Sequence, residues 1–436
     1  MKFYNREIEI EQLDAIRKQS LKQAQMTFVV GRRRVGKTSL LKKAVEPHLY
    51  LYFFVGRKNE ALLCSEFTAE IEQKLNVEIF GQINTFRDLF GNLLNLSKSK
   101  HFTLIIDEFQ EFYSVNSSVY SEMQNLWDSH KQESKMNLIL CGSVYSMMSK
   151  IFENSKEPLF GRANHRITVK KFDTVTLKKI LGDYHPQYTA EDLLTLYVIT
   201  GGTAKYIEIL MEAGAFTSEK ILNEVLKENS LFLDEGKNVL IEEFGKDYGN
   251  YFSILSLIAS SKTSRPEIES VMGTTVGGFL ERLEKDYELI NRVIPFDAKP
   301  GSRNIKYRIR DQFLHFWFRF IFKYQSAVEI ENLDFVRTIV DRNYATFTGA
   351  VLEQYFRDQL QETKKFSRIG TYWEKNNLNE IDIVAENALE KTMLIAEVKR
   401  NPKNISISAL EKKAEKLIKK FPDYHFDFKG YSMNDI

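Results

Sequence analysis

The octet Gly31-Arg-Arg-Arg-Val-Gly36-Lys37-Thr38 constrains this chain more than any other feature. It fits GxxxxGK[ST], follows the apolar run MTFVV (26–30) and opens the helical pattern SLLKKAV. The glycines let the loop turn tightly and bring backbone N–H groups onto phosphate oxygens, and the helix N-terminus behind them adds partial positive charge. A strand–loop–helix is therefore required here. Gly31, Arg32, Arg33, Arg34, Val35, Gly36, Lys37, Thr38 and Ser39 are the residues expected to hold ATP. Lys37 reaches the β- and γ-phosphates and Thr38 ligates Mg²⁺.

Around this loop, apolar β-rich runs alternate with helical patterns: MTFVV, LYLYFF (49–54), FTLIID (102–107) and NLILCG (137–142). The alternation predicts a parallel sheet with helical crossovers, an α/β layer. The third run ends in Asp107 and Glu108, placed to hold the magnesium through water and to polarise an attacking water. The fourth is followed by Ser143, a polar group where a γ-phosphate could be sensed.

At 436 residues the chain exceeds one ordinary core and predicts two to four domains. The formal net charge is only +2, so nucleic-acid affinity would have to come from local basic surfaces. Cys64 and Cys141 stand at no metal-ligand spacing and read as reduced core thiols. The N-terminus, MKFYNREIEI, has no apolar core of signal-peptide length, and the most apolar stretch (313–324) is broken by His315, Arg319 and Lys323. A cytoplasmic protein without a membrane span is expected.

From about Thr174 to Phe232 the pattern is helical. Tyr251 to Ile309 then reads as three helices, YFSILSLIASSK, RPEIESVM with Pro266 in its first turn, and VGGFLERLEKDYEL, followed by two β-like runs around Lys299–Pro300–Gly301. That order predicts a winged helix-turn-helix. Its third helix would offer Arg282 and Lys285 to DNA among four acidic residues. The hairpin, with Lys299, Arg303, Lys306, Arg308 and Arg310, suits a phosphate backbone better. The aromatic segment QFLHFWFRFIFKY (312–324) must be packed.

The last hundred residues read as a small α/β unit: a helix (AVLEQYFRDQL), strand-like runs (RIGTYWEK, EIDIVAE, TMLIAEVKR) and a Lys-rich helix (ALEKKAEKLIKK). Glu397 and Lys399 share a strand face, and Asp382 ends the adjacent run. With Glu353 on the helix, these groups are expected to gather a second Mg²⁺ or Mn²⁺ for attack on phosphorus.

Six blocks, FYNREIEIEQL (3–13), GRRRVGKTSL, LIIDEFQ, LILCGSVYSMM, PLFGR (158–162) and ITGGTAKY (199–206), together resemble the AAA+-related archaeal ATPase group, placed near the STAND signal-transduction ATPases. The resemblance covers about residues 1–230. It implies that Asn5 and Arg6 lie over the adenine, that Arg162 acts on the γ-phosphate within one subunit or from a neighbour in a homo-oligomer, and that Gly201, Gly202 and Lys205 sense nucleotide. Ala204 stands where that group usually has proline. The C-terminal pattern resembles the PD-(D/E)xK nuclease fold and the DUF234 group.

The fold class expected is therefore α/β: a P-loop NTPase parallel sheet (1–170) with a helical lid (171–245), a winged helix (246–325) and a restriction-endonuclease-like domain (326–436). The function expected is an Mg²⁺-dependent ATPase switch coupled to a DNA-directed, nuclease-like C-terminal domain. The alternative is a non-catalytic nucleotide-binding regulator that holds DNA or a protein partner.

Overall fold

The computed structural model describes residues 1–244, 248–299 and 301–436, and the chain divides into two compact units, Lys2–Lys170 and Lys171–Ile436 with Met1. The expected boundary at 245/246 and Pro300 of the hairpin turn lie outside the described residues.

The first unit is built on five parallel strands, β1 (Gln25–Val30), β2 (Tyr50–Phe54), β3 (Phe102–Asp107), β4 (Met136–Cys141) and β5 (His165–Thr168), in the order β2-β3-β4-β1-β5. All six residues of β3 and of β4 are buried, so these strands carry apolar side chains on both faces instead of alternating with polar ones. The two faces feed two different cores. Met26, Phe28, Val30, Leu104, Ile106, Leu138 and Leu140 join a Phe-rich cluster with Phe67, Phe86, Phe90 and Phe112. Val29, Ile105, Ile139 and Cys141 join the other with Leu13, Ile16 and Leu40. The period of two in a strand sorts consecutive residues between these cores.

The order places β4 between the P-loop strand β1 and the Asp-Glu strand β3. Three of the expected groups thus lie at the carboxyl ends of adjacent strands, where ligands bind open α/β sheets. The four runs named from sequence are β1 to β4. The short β5 has no apolar run to announce it: Ile167 is the single aliphatic residue and the single buried position of HRIT.

The second unit begins with helices Thr174–Tyr184, Ala190–Thr200, Ala204–Glu212 and Ser218–Val225. Three helices follow, Tyr248–Ala259, Arg265–Met272 and Gly277–Lys285, then the antiparallel hairpin of β6 (Ile290–Val293) and β7 (Lys306–Ile309). Arg265–Met272 starts with Pro266 in its first turn and a capping box between Ser264 and Glu267. The aromatic segment is packed as expected: Phe313, Phe316, Trp317, Phe318 and Phe320 are all buried.

The C-terminal sheet has the order β11-β10-β9-β8, from β8 (Arg368–Tyr372), β9 (Ile381–Asn387), β10 (Thr392–Val398) and β11 (His425–Tyr431), with helices Leu333–Glu362 and Ile407–Ile418. β11 lies parallel to β10, the other pairs are antiparallel, and the sheet is mixed. The fourth strand, HFDFKGY, was missed because it is half exposed along its length. Among the described residues no helix is long and apolar enough to cross a membrane.

Candidate nucleotide site

The P-loop spans β1 and helix Lys37–Val45. A Cβ on Gly31 would stand 2.5 Å from the carbonyl oxygen of Val169, so only glycine lets the loop leave β1 this close to the end of β5. Gly36, at φ +92°, turns the chain into the helix in the left-handed region that glycine enters without strain. Lys37 is buried and folds back on its own loop, donating to the carbonyls of Gly31 at 2.7 Å and Arg32 at 3.1 Å. Arg32 lies 5.6 Å from the centre of the Tyr145 ring. Ser39 is exposed on the first turn of the helix.

Asp107, at 5% exposure, holds the two motifs together. Its Oδ2 accepts from the Thr38 hydroxyl at 3.0 Å and from the Tyr52 phenol at 2.5 Å, and its Oδ1 accepts from the Glu108 backbone N–H at 2.9 Å. Burial, then the neighbouring Asp107 carboxylate, pushes the Tyr52 phenol far above its ordinary value, so it stays protonated and donates. A hydroxyl and a carboxylate meeting at the loop mouth are the hard oxygen donors that Mg²⁺ takes. The residues present fit that ion.

Glu108 sits at φ +54° and its carboxylate is held from two sides. Oε2 accepts from the Ser143 hydroxyl at 2.7 Å, the Ser143 N–H at 3.2 Å and the Gln110 amide at 2.6 Å. Ser143 therefore touches the glutamate expected to position water, a contact the strand order produces by setting β4 beside β3.

Arg6 is buried at 5% exposure. One guanidinium nitrogen donates to the carbonyls of Val35 at 3.1 Å and Lys170 at 2.7 Å, and the other pairs with Glu9 at 3.2 Å. The N-terminal segment thus fastens the P-loop backbone to the last residue of the first unit. Asn5 precedes it at φ +42°, a conformation asparagine tolerates. Arg162 donates to Asp128 at 3.2 Å and to the Phe160 carbonyl at 2.9 Å. Tyr52 and Asp128 belong to no motif, and only the sheet order brings Tyr52 to the Asp-Glu pair, whereas Gln110, the last residue of the LIIDEFQ block, reaches Glu108 from two residues along the chain.

In the second unit, Gly202 packs so closely that a Cβ would meet the Phe172 carbonyl at 2.1 Å, and Gly201 caps helix Ala190–Thr200. Lys205 pairs with Glu208 at 2.6 Å. The C-terminal cluster does assemble. Lys399 lies 3.4 Å from Asp382 and 3.6 Å from Glu397, Lys413 of helix Ile407–Ile418 reaches Glu397 at 2.7 Å, and Asp382 Oδ2 accepts from the Val398 N–H at 2.8 Å. Arg357, buried at 8% exposure, lies 3.4 Å from Glu353 and donates to the Asp382 carbonyl at 2.9 Å.

Burial raises the Glu353 carboxyl, Arg357 opposes, and Asp382 adds to the rise. Burial lowers the Arg308 guanidinium, against the pull of Glu353, Glu380 and Asp382. Among the described residues no three metal-ligating side chains are placed to hold an ion. The carboxylates of this cluster already face lysine and arginine, so a second Mg²⁺ or Mn²⁺ here would compete with those ion pairs.

The hairpin expected to meet DNA is also engaged within its unit. Lys306 pairs with Glu380 at 3.1 Å and lies 4.6 Å from the Trp373 ring centre, Arg310 pairs with Glu288 at 3.4 Å, and Trp373 donates to Asn304 at 3.0 Å. The chain between β6 and β7 is pinned too: the Phe296 N–H donates to the Thr371 carbonyl at 2.8 Å, and the Arg368 guanidinium lies 3.7 Å from the Phe296 ring centre.

A glycine-rich loop on a five-stranded parallel sheet, with an Asp-Glu strand one place removed, defines a P-loop ATPase. Comparison with known proteins specifies the group. Residues 3–210 match a family described as an ATPase domain predominantly from Archaea, and residues 317–417 match DUF234, described as archaeal and bacterial proteins of unknown function. The chain thus carries an ATPase domain of this archaeal type with a DUF234 region behind it. An uncharacterized protein of Methanocaldococcus jannaschii is 28% identical over 408 residues, 91% of this chain and 87% of that one. The solved structure of a Walker-type ATPase of Pyrococcus abyssi is similar in fold, with a TM-score of 0.54 at 19% identity, covering 73% of this chain and 96% of that one.

Proposed function

We propose that this ATPase is a magnesium-dependent switch whose first unit binds and hydrolyses ATP and whose second unit responds to the nucleotide by holding a partner. The observation that carries the reading is the contact of Thr38 with Asp107, next to a Glu108 that Ser143 and Gln110 hold in reserve. Backbone amides of Gly31 to Thr38 would hold the phosphates, Lys37 would leave its loop carbonyls for the β/γ-phosphates, and Thr38 with Asp107 would hold Mg²⁺, which supplies charge neutralisation. Glu108 would orient water once Ser143 releases it. Arg162 is paired with Asp128, so its action on a γ-phosphate requires that pair to open.

Coupling has a physical route. Arg6 joins the P-loop carbonyl of Val35 to that of Lys170, and the next residue, Lys171, is anchored to Asp311. A change in loop backbone is thereby passed to the chain that opens the second unit. We read the C-terminal sheet as a nuclease-like scaffold that serves as a binding module, because lysines and arginines occupy its carboxylates. The buried free thiols Cys64 and Cys141 accord with a reducing, cytoplasmic setting.

The test is calorimetry and phosphate release. Wild type should bind ATP with Mg²⁺ and turn it over, and Lys37→Ala should lose both. An unchanged dissociation constant in that variant removes the site. Plasmid and branched DNA with Mg²⁺ or Mn²⁺ should stay uncut, and cleavage abolished by Asp382→Asn would overturn the binding-module reading.

A further inference from the structure

Tyr52 belongs to no nucleotide-binding motif, yet its phenol makes the shortest contact to the aspartate of the site. It lies on the edge strand β2, in register with Ile105 of β3, and its backbone N–H is capped by Glu70 at 2.6 Å. Helix Lys37–Val45 grips it from the other side: Lys42 lies 4.8 Å from the ring centre, and Thr38, one turn earlier, shares the acceptor oxygen with the phenol. The ring packs against the core that contains Val29, Ile105 and Cys141.

The two oxygens of Asp107 take the Glu108 N–H, the Thr38 and Tyr52 hydroxyls and the Cys141 thiol. The Glu108 N–H holds Oδ1, while the Thr38 and Tyr52 hydroxyls converge on Oδ2. These charge-assisted bonds leave this buried carboxylate one orientation. Thr38 spends its proton on Asp107, so its oxygen lone pairs stay turned outward for a cation. Without the phenol, Oδ2 loses its shortest donor and the carboxylate gains freedom to rotate about its own side chain. The contact is the kind of outer partner that orients a metal ligand and is felt in metal affinity.

We propose that Tyr52 is the positioning residue of the magnesium site: its hydroxyl fixes the Asp107 carboxylate in the orientation that Thr38 and Mg²⁺ require. The proposal rests on the reading of Thr38 and Asp107 as the magnesium-holding pair, and the experiment separates the two. Tyr52→Phe keeps the ring, its packing and the Lys42 contact and removes one oxygen. In the full-length chain, binding of a non-hydrolysable ATP analogue is measured by calorimetry with EDTA and with Mg²⁺. Mn²⁺ uptake in the presence of the analogue is followed by electron paramagnetic resonance.

Metal-free analogue affinity should stay within about twofold of wild type, because the P-loop amides are untouched. Mg²⁺-dependent affinity and Mn²⁺ uptake should both fall about 10- to 100-fold, the usual effect of losing an outer partner. Thermal melting without metal reports whether the variant is folded. Mg²⁺ and Mn²⁺ responses equal to wild type in Tyr52→Phe overturn the role of Tyr52 alone. An equal loss with and without metal makes Tyr52 a packing residue and also overturns it. A wild-type protein with no metal-dependent gain in nucleotide affinity overturns the underlying pair, and the Tyr52 proposal with it.

Discussion

Replacing Arg6 by methionine tests whether this residue acts on the base of the nucleotide or on the loop beneath it. Methionine retains most of the apolar stem, so the change isolates the guanidinium. In the structure that group makes two bonds to backbone carbonyls through one nitrogen and an ion pair through the other. A hydrogen bond from a charged donor contributes about 1.5–3 kcal/mol. The two carbonyl bonds share a nitrogen, so together they are worth about 2–4 kcal/mol. Val35 is buried, and its carbonyl would lose this partner. For a unit of this size the loss lowers the melting temperature by about 5–10 °C.

If about 1.4 kcal/mol of that loss falls on the binding-competent form of the loop, apparent nucleotide affinity drops about tenfold. The assay is calorimetric titration of the variant with ATP, GTP and inorganic tripolyphosphate, beside a melting curve. A loop tether predicts the same proportional loss for all three, since all are held by the same backbone amides. A loss confined to ATP, with GTP and tripolyphosphate unaffected, would refute the reasoning and return Arg6 to the adenine.

Glu108→Gln should retain ATP binding and lose about 10²–10⁴ in turnover, the usual cost of removing a positioned water-activating group; phosphate release under saturating ATP measures it. Phe296→Ala removes a side chain at 5% exposure that packs with Arg368 and Phe421 and should cost the second unit about 3–4 kcal/mol, read as a lowered melting transition with ATP affinity unchanged. Burial, with Arg319 and Arg308 adding, lowers the His315 imidazole to about 4. Between the unfolded value near 6.5 and about 4 the unfolded chain binds the extra proton, so stability should fall as pH drops through that window, by up to about 3 kcal/mol. His315→Gln should flatten this acid limb in urea titrations at successive pH values, and an unchanged slope would count against the assignment.

The nucleotide unit was legible in the chain because its information is local. The octet at Gly31 needs its glycines for reasons of backbone geometry alone, and the strands before it and before Asp107 are continuous apolar runs that only a sheet buried on both faces explains. The C-terminal carboxylates were legible for a similar reason. Alternation in one strand puts Glu397 and Lys399 on one face, and the antiparallel β9 brings Asp382 alongside.

What those charges do was not legible. Whether a carboxylate meets a metal or an arginine depends on side chains from distant segments. Arg357 comes from a helix and Lys413 from another, and Lys306 fastens the hairpin to Glu380. The same holds for Tyr52, which acquires its partner Asp107 from the order β2-β3-β4-β1-β5 and not from any spacing along the chain. Sequence determined which backbone groups can cradle a phosphate, since a tight turn is a property of consecutive residues. Tertiary structure decided which charges are left open to a ligand, because neutralisation is settled by whatever the fold brings within about 4 Å.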